Sequence, residues 1–543
     1  MPGRPWPAAA MLATGVFLVV AAQLAGAASD RRGGIFTFGT TAASVQVDPQ
    51  LAYGTTAWWL EYATAAKLYN YTPKGTLVPE VASRYKVSNN GKRYTFFIRK
   101  GFRFSDGQPV TARSFKYAIN RAANKDLASP GAQFITDPNA TEIVGAKEVN
   151  DGRATDVRGV RARGNRLVIH LVRPNPSFLS TIAMPFFQAT SSKLPLDREV
   201  VNVNRMGDLP SAGPYAFTLN EVDARTSLRR NPYWKRGPGR NAPRNLGGVD
   251  VLWNLNEQAA FEMVRSNQLD EGPVPAAEEQ RVAAQYGVNK TRFWVKSGPC
   301  MGWIAFNNRA GLFQGSPAMR KAVNWALDRT DYSGASFSRT PWTHLLLPGF
   351  PGSITKKSLQ PYSPRANISK ARELSAGHFK DGRITVYFDS SGTIAPAQAE
   401  LVKRDLINLG FEPANITMKG YPGWDLYVAI GKRGSDFDLA VPLATCTDSR
   451  DPAGALGLGL GGQPFIPDSL SYRAKFAAAS RLTGAARNKA FGKLDIDLMK
   501  NLAPLAVMNT LNDRYFFSNR VDPRTTSFHR VYSGWSIPSL ALT

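Results

Sequence analysis

Hydrophobic and polar positions change period several times along this chain. Tyr85 and Val87 alternate with polar residues before Asn90-Gly91, and Tyr94, Phe96 and Ile98 alternate after it. A period of two on both sides of an Asn-Gly pair predicts a β-hairpin. Asp106-Gly107 marks a second turn, after which Thr111 is placed to cap a helix carrying Phe115, Ala118 and Ile119. Upstream, Gly33-Gly34 leads into a strand over 35–40, followed by a loop through Val47-Asp48-Pro49. Trp59, Tyr62, Ala63, Ala66 and Tyr69 then recur at helical spacing, which predicts one helix with a buried stripe.

The second half alternates strands and helices: a strand over 384–388, a helix over 396–409 stopped by Gly410, a strand over 416–419 and a helix over 424–430. An apolar run from Phe437 to Leu443 follows and ends in a polar loop holding Asp448, Asp451 and Pro452. Helices around 469–502 and a strand beginning at Ala503-Pro504-Leu505 complete the chain. This rhythm predicts an α/β fold. At 543 residues the chain exceeds one core, and domains of about 100–200 residues suggest three or so lobes.

The first residues read differently. Arg4, the apolar run from Ala8 to Ala22 and the small residues Ala25-Gly26-Ala27 form the pattern of a secretory signal peptide over 1–27, cleaved near Ala27. Leu24-Ala25-Gly26 is followed by Ala27 rather than cysteine, so a released protein is expected instead of a lipid-anchored one. No later stretch approaches about 18 uninterrupted apolar residues, so no membrane span is expected. Export makes a disulfide the natural expectation for Cys300 and Cys446, with two buried thiols as the alternative. Closing a loop between positions so far apart would stabilise the fold by about 4–5 kcal/mol in the chain-entropy description.

The net charge is +26, but the arginines are scattered from Arg31 to Arg530 rather than clustered among stacking aromatics. This describes a diffusely basic surface and no nucleic-acid partner. Enzyme motifs fail on context. Gly457, Gly459 and Gly462 satisfy GxGxxG, yet Gln463-Pro464 stands where a helix should open. His170, His344, His378 and His529 form no HExxH pattern, and there is no GxSxG elbow, so no metal, cofactor or catalytic residue is expected.

A set of motifs resembles a known family. Pro79, Val81-Ala82-Ser83, Tyr85, Val87-Ser88, Tyr94-Thr95-Phe96, Arg99, Gly101, Phe104, Asp106-Gly107, Pro109 and Thr111-Ala112 follow the order of a segment found in the peptide/nickel class of extracellular solute-binding proteins serving ABC importers. Arg113 replaces the acid usual after Thr-Ala. Ser211-Ala212-Gly213-Pro214-Tyr215, Arg230-Asn231-Pro232-Tyr233-Trp234, Asn267-Gln268-Leu269-Asp270, the strand 302–307 and the helix 319–329 are similar to later motifs of that family. The resemblance implies a two-lobed α/β protein of the large peptide-binding type, with mixed sheets flanked by helices. Lobe I would comprise 33–50, 205–297 and 496–543, with an inserted subdomain at 51–204, and lobe II would comprise 298–495. It further implies a periplasmic monomer that captures a small peptide and delivers it to an inner-membrane ABC permease without catalysis.

The resemblance also implies a site. Asp448-Ser449-Arg450-Asp451-Pro452 matches the loop whose first aspartate holds a peptide's α-amino group in that family, with Asp451 stabilising the turn. Thr445, Cys446 and Thr447 precede it; some relatives pair a cysteine at the second of these positions with one where lobe II begins, as Cys300 would. Thr445 stands where an aromatic residue is usual. Trp424 matches a cavity-lining tryptophan. On the facing lobe, Tyr53, Gly54 and Thr55 are candidates for contact with a peptide backbone, and the segment Glu271-Gly272-Pro273 is expected beside them. Lys432 or Arg433 is a candidate partner for a ligand carboxylate. The competing expectations are a non-peptide solute (an opine, oligosaccharide, glutathione-like compound or metal chelate) on the same fold and, more remotely, a secreted hydrolase or peptidase.

Overall fold

A computed structural model describes residues 33–137, 141–240, 242–376, 382–460 and 465–543. The signal-peptide pattern, His378, Gly462 and Gln463-Pro464 lie outside the described residues.

Eleven strands form one sheet that runs through both halves of the molecule. In chain order they are β1 (Ile35–Gly39), β2 (Tyr215–Glu221), β3 (Arg225–Arg230), β4 (Gly248–Leu252), β5 (Glu271–Gly272), β6 (Phe293–Phe306), β7 (Arg339–Pro341), β8 (Ile384–Asp389), β9 (Ile416–Tyr421), β10 (Leu439–Cys446) and β11 (Leu505–Phe517). The spatial order is β9-β8-β10-β6-β11-β5-β1-β4-β3-β2, with β7 added alongside β11. Strands β6 and β11 are the long members, and each serves both lobes. Phe293–Ser297 pairs antiparallel with Asn512–Phe516 in lobe I, and Met301–Ala305 pairs with Leu505–Thr510 in lobe II. The register breaks between Ser297 and Met301, where the two strands pass from one lobe to the other.

The labelled helices are α1 (Thr55–Thr64), α2 (Ala112–Ala123), α3 (Glu257–Arg265), α4 (Pro317–Ala326), α5 (Ile394–Leu409), α6 (Trp424–Gly431), α7 (Leu470–Arg481) and α8 (Gly484–Asn501). No helix among the described residues is long and apolar enough to cross a membrane. In lobe II the sheet is covered on both faces. Leu439 and Val441 of β10 pack with Val323 of α4 and Val402 and Leu406 of α5, whereas Ala440 packs with Leu426 of α6 and Leu498 of α8. Burial on both faces is why β10 reads as an unbroken apolar run instead of alternating.

The Asn90-Gly91 turn joins strands Ala82–Ser88 and Arg93–Ile98 within a separate four-stranded sheet. Asn89, Asn90 and Gly91 all have positive φ there, which asparagine and glycine tolerate best. Helix α2 opens after Thr111, whose backbone N–H donates to Ser114 Oγ at 3.2 Å. Four expectations change. Helix α1 ends at Thr64; Ala66 and Tyr69 are buried but extended, with Tyr69 in a short strand, Tyr69–Tyr71, paired to Leu77–Pro79. Tertiary pairing overrode a good local helix pattern: the Thr64 carbonyl accepts from the Gly213 N–H at 2.7 Å. The helix read over 319–329 is instead α4 followed by a short helix, Arg329–Ser333, capped by Asp328. The lobe boundary drawn at 496 falls inside α8, whose Leu498 and Met499 share a core with Trp303, Leu505 and Val507; the return to lobe I comes near Thr510. The segment 51–204 also has no core of its own. Trp59, Phe96, Phe115, Tyr215 and Trp535 belong to one cluster, and Trp59 Nε1–H donates to the Trp535 carbonyl at 2.6 Å.

Candidate functional site

The two lobes face each other across a cleft, and the lobe II wall is built around the end of β10. Strand β8 pairs with β10 only as far as Val441, so the stretch from Pro442 to Cys446 has a free edge on that side. Helix α6 stands against this edge. Trp424 and Tyr427 stack with ring centroids 4.9 Å apart, and Trp424 is 74% exposed, so it is not a core residue. The Tyr427 hydroxyl donates to the Ala444 carbonyl at 3.1 Å and accepts from its N–H at 2.9 Å, covering one residue of the open edge.

Behind these side chains lies a cavity of about 780 Å³ whose lining includes Tyr332, Arg339, Trp424, Tyr427, Leu443 and Asn509. Its polar groups are under-used. Both side-chain atoms of Asn509 and the Tyr332 hydroxyl are buried without a hydrogen-bond partner. Among the described residues the Arg339 side chain hydrogen-bonds the Ser338 hydroxyl alone, at 3.5 Å, and burial pulls its pKa down. A partly buried basic group with no acid within ion-pair distance favours an anionic guest. Gly302 leaves room beside Asn509: a Cβ there would come within 2.6 Å of its Oδ1.

The Asp448 loop is held from below. Cys300 of β6 and Cys446 of β10 face each other in register and form a disulfide. The Pro299 carbonyl accepts from the Thr447 N–H at 3.0 Å and from its hydroxyl at 3.3 Å. Thr445 Oγ1 accepts from Trp303 Nε1–H at 3.0 Å, so the threonine orients a neighbouring indole where an aromatic side chain was usual. Asp451 accepts from the Ala453 N–H at 2.9 Å at the start of a short helix, Pro452–Gly457, and from Arg487 of α8 at 2.8 Å. Arg487 also reaches Ser177 of the facing lobe at 3.1 Å.

Asp448 meets lobe I directly: its Oδ1 accepts from the Tyr53 hydroxyl. Burial raises the Asp448 pKa, with the Tyr53 hydrogen bond acting the other way. Burial and the nearby carboxylate likewise push the Tyr53 phenol up, so it stays protonated and donates. Tyr53 packs its ring near Phe186 and Trp58, and Gly54, at φ 101°, turns the chain into α1 at Thr55. The loop that carries Tyr53 is anchored by a buried pair, Asp48 and Arg121, whose Nη2 lies 2.6 Å from Asp48 Oδ2.

The remaining candidates are divided: Glu271 shares a lobe I cavity with Thr55, and the others do not line it. Gly272 is buried beneath α3, where a Cβ would come within 2.8 Å of Val264; its neighbour Glu271 is the residue that lines a lobe I cavity, and Pro273 is absent from that lining. Lys432 and Arg433 are exposed beyond the far end of α6 and are not in the lining of the large cavity. The position follows from α6 itself: its N-terminal turn faces the cavity, and these residues follow its last turn. Among the described residues, no group of three or more His, Cys, Asp or Glu side chains could hold a metal ion.

The family model for "Bacterial extracellular solute-binding proteins, family 5 Middle" matches residues 76–465. The chain belongs to this family. Among curated relatives of this family-5 protein, the oligopeptide-binding protein OppA of Bacillus subtilis is 26% identical over 252 residues, 46% of this chain and 44% of OppA. The probable deoxycholate-binding periplasmic protein YgiS of Escherichia coli is 27% identical over 360 residues, 61% of this chain and 61% of YgiS. These matches thus span less than two thirds of either relative's length. A solved structure of the murein tripeptide binding protein MppA, in an unliganded open form, matches with a TM-score of 0.77 at 19% identity, covering 94% of this chain and 97% of that one. Family membership and the two-lobed fold therefore rest on sequence and structure together. Arg339, Tyr332 and Asn509 escaped the sequence reading of the family-5 protein. They come from three elements, and nothing in local period or spacing marks them as neighbours.

Proposed function

We propose that the protein is the extracytoplasmic, periplasmic binding component of an ABC importer, and that it captures a small peptide between its lobes for delivery to an inner-membrane permease. The observation that carries this reading is the Asp448 carboxylate: half-buried at the cleft, disulfide-braced and offered only a neutral phenol. An α-ammonium in place of that phenol would form a charge-assisted hydrogen bond, worth about 1.5–3 kcal/mol net. The free edge of β10 after Val441 supports backbone pairing with an extended ligand once Tyr427 turns away from Ala444. Arg339, with Asn509 beside it, is our choice for the ligand carboxylate. The working step is closure of the lobes about the β6 and β11 crossing, stabilised by ligand contacts made only when closed. No bond-making step is assigned.

A second reading keeps the fold and changes the ligand. The exposed Trp424 beside a large, mainly apolar cavity, and a relative named for probable deoxycholate binding, favour a non-peptide organic acid anchored at Arg339. Native mass spectrometry of the protein purified without denaturation separates the two. A co-purified species of peptide mass supports the first reading, and a nitrogen-free acid contradicts it.

A further inference from the structure

The lobe I wall holds a second, smaller cavity of about 130 Å³. Thr55 borders it, two residues after the tyrosine that contacts Asp448. Its floor carries two carboxyls, Glu271 of β5 and Asp513 of β11, and its walls are aromatic: Phe38, Trp59, Tyr515 and Trp535. Glu271 is 3% exposed, and its Oε2 has no hydrogen-bond partner. Such an orphaned acceptor is rare in a folded interior and marks a group awaiting a donor. Asp513 accepts one hydrogen bond, from Ser533.

Among the described residues no cation lies within ion-pair distance of either carboxyl, although Arg514 acts on Asp513 at longer range. Arg514 is taken by Glu279. Lys296, across from Asp513 on β6, lies over the Trp294 ring at 4.7 Å. Asp270, next to Glu271, is occupied by Thr37 and Ser518, with Arg520 at 3.5 Å. Burial accordingly holds Glu271 up at about 8, with Asp270 adding to the shift, and Asp513 up at about 6. A cation entering between these carboxyls would favour their ionised forms and also meet the ring faces, so carboxyls beneath aromatic faces suit a cationic guest. Trp535 Nε1–H is the other unpaired buried group of this lining, and a neutral oxygen beside the cation would satisfy it.

We propose that the cavity between Glu271 and Asp513 is a subsite for a second cationic group, a lysine-type ammonium or an arginine-type guanidinium, so that the preferred ligand is a basic peptide. This rests on the reading of Asp448 as the site of the peptide's amino end. The net charge of +26 opposes such a ligand at long range, but screening over about 8 Å at physiological ionic strength leaves the decision to the local carboxylates.

The test is calorimetry on the full mature chain with tri-alanine peptides carrying lysine or norleucine at each position in turn. Lysine should bind at least tenfold more tightly than norleucine at one position, and that ratio should fall below threefold in both Glu271→Gln and Asp513→Asn. Norleucine binding in each variant reports that the cleft still forms. A ratio within threefold at every position of the unaltered protein, or one that persists in Glu271→Gln, overturns the subsite while leaving the Asp448 reading intact. Binding of neither series overturns both.

Discussion

The two walls of the cleft solve different problems. The lobe II wall is large and open, with Trp424 largely in solvent, an incompletely paired strand edge and a basic residue lacking an acid. The lobe I wall holds a smaller cavity, with two acids beneath aromatic rings and a loop pinned by a buried ion pair. A half-buried arginine thus lines the roomier cavity, and two buried carboxyls line the smaller one. The comparison suggests that lobe II accommodates ligands of varied size whereas lobe I discriminates among them.

The largest expected effect tests what pins the lobe I wall. Arg121→Met leaves Asp48 buried without its cation, and loss of one partner of such a pair costs about 3–5 kcal/mol. Denaturant unfolding should show that loss, and a change below 1 kcal/mol would mean that the loop carrying Tyr53 is held by something else. Next comes lobe II. Arg339→Met should weaken a free-carboxylate peptide by about tenfold to a hundredfold, the range of a hydrogen-bonded charge, while leaving its C-terminal amide nearly unaffected. Equal losses for acid and amide would return the carboxylate role to another residue. The smallest effect belongs to Trp424→Ala, about fivefold for a peptide with an aromatic side chain, because an exposed ring contributes about 1 kcal/mol through stacking. Fluorescence titration would detect it, and a loss above a hundredfold would make this wall the selective one.

How much of this was legible in the sequence follows the same division. The hairpin at Asn90-Gly91 and the helices over 394–409 and 424–431 are local patterns that lie where their periods placed them, whereas the strand read over 437–443 runs from Leu439 to Cys446 because its pairing with β6 continues past the apolar run. The pairing of Cys300 with Cys446 was expected from export and from family resemblance, since nothing local links positions so far apart. What the sequence could not show is convergence. Arg339, Tyr332 and Asn509 meet through three elements, and Glu271 meets Asp513 only because β5 pairs with β11. A buried acid also looks, in sequence, like any exposed one. The tail of the Trp59 stripe failed for a related reason: Tyr69 is buried as expected, but by strand pairing that helical spacing cannot register.

The pKa of Asp448 gives the comparison a sign in pH. Burial raises it above the ordinary carboxylate value, and an ammonium prefers the ionised form. Affinity for an amine terminus should therefore be complete above the raised pKa and be lost as pH falls through it, beginning at a higher pH than an ordinary aspartate would give. The central claim is that Asp448 holds a ligand's amino end. It is tested most directly by calorimetry at neutral pH, comparing a free-amine peptide with its N-acetylated form in the unaltered protein and in Asp448→Ala. The account predicts at least a tenfold preference for the free amine that disappears in the variant, with disulfide and fold intact. Unchanged affinity for the free-amine peptide in Asp448→Ala would contradict it.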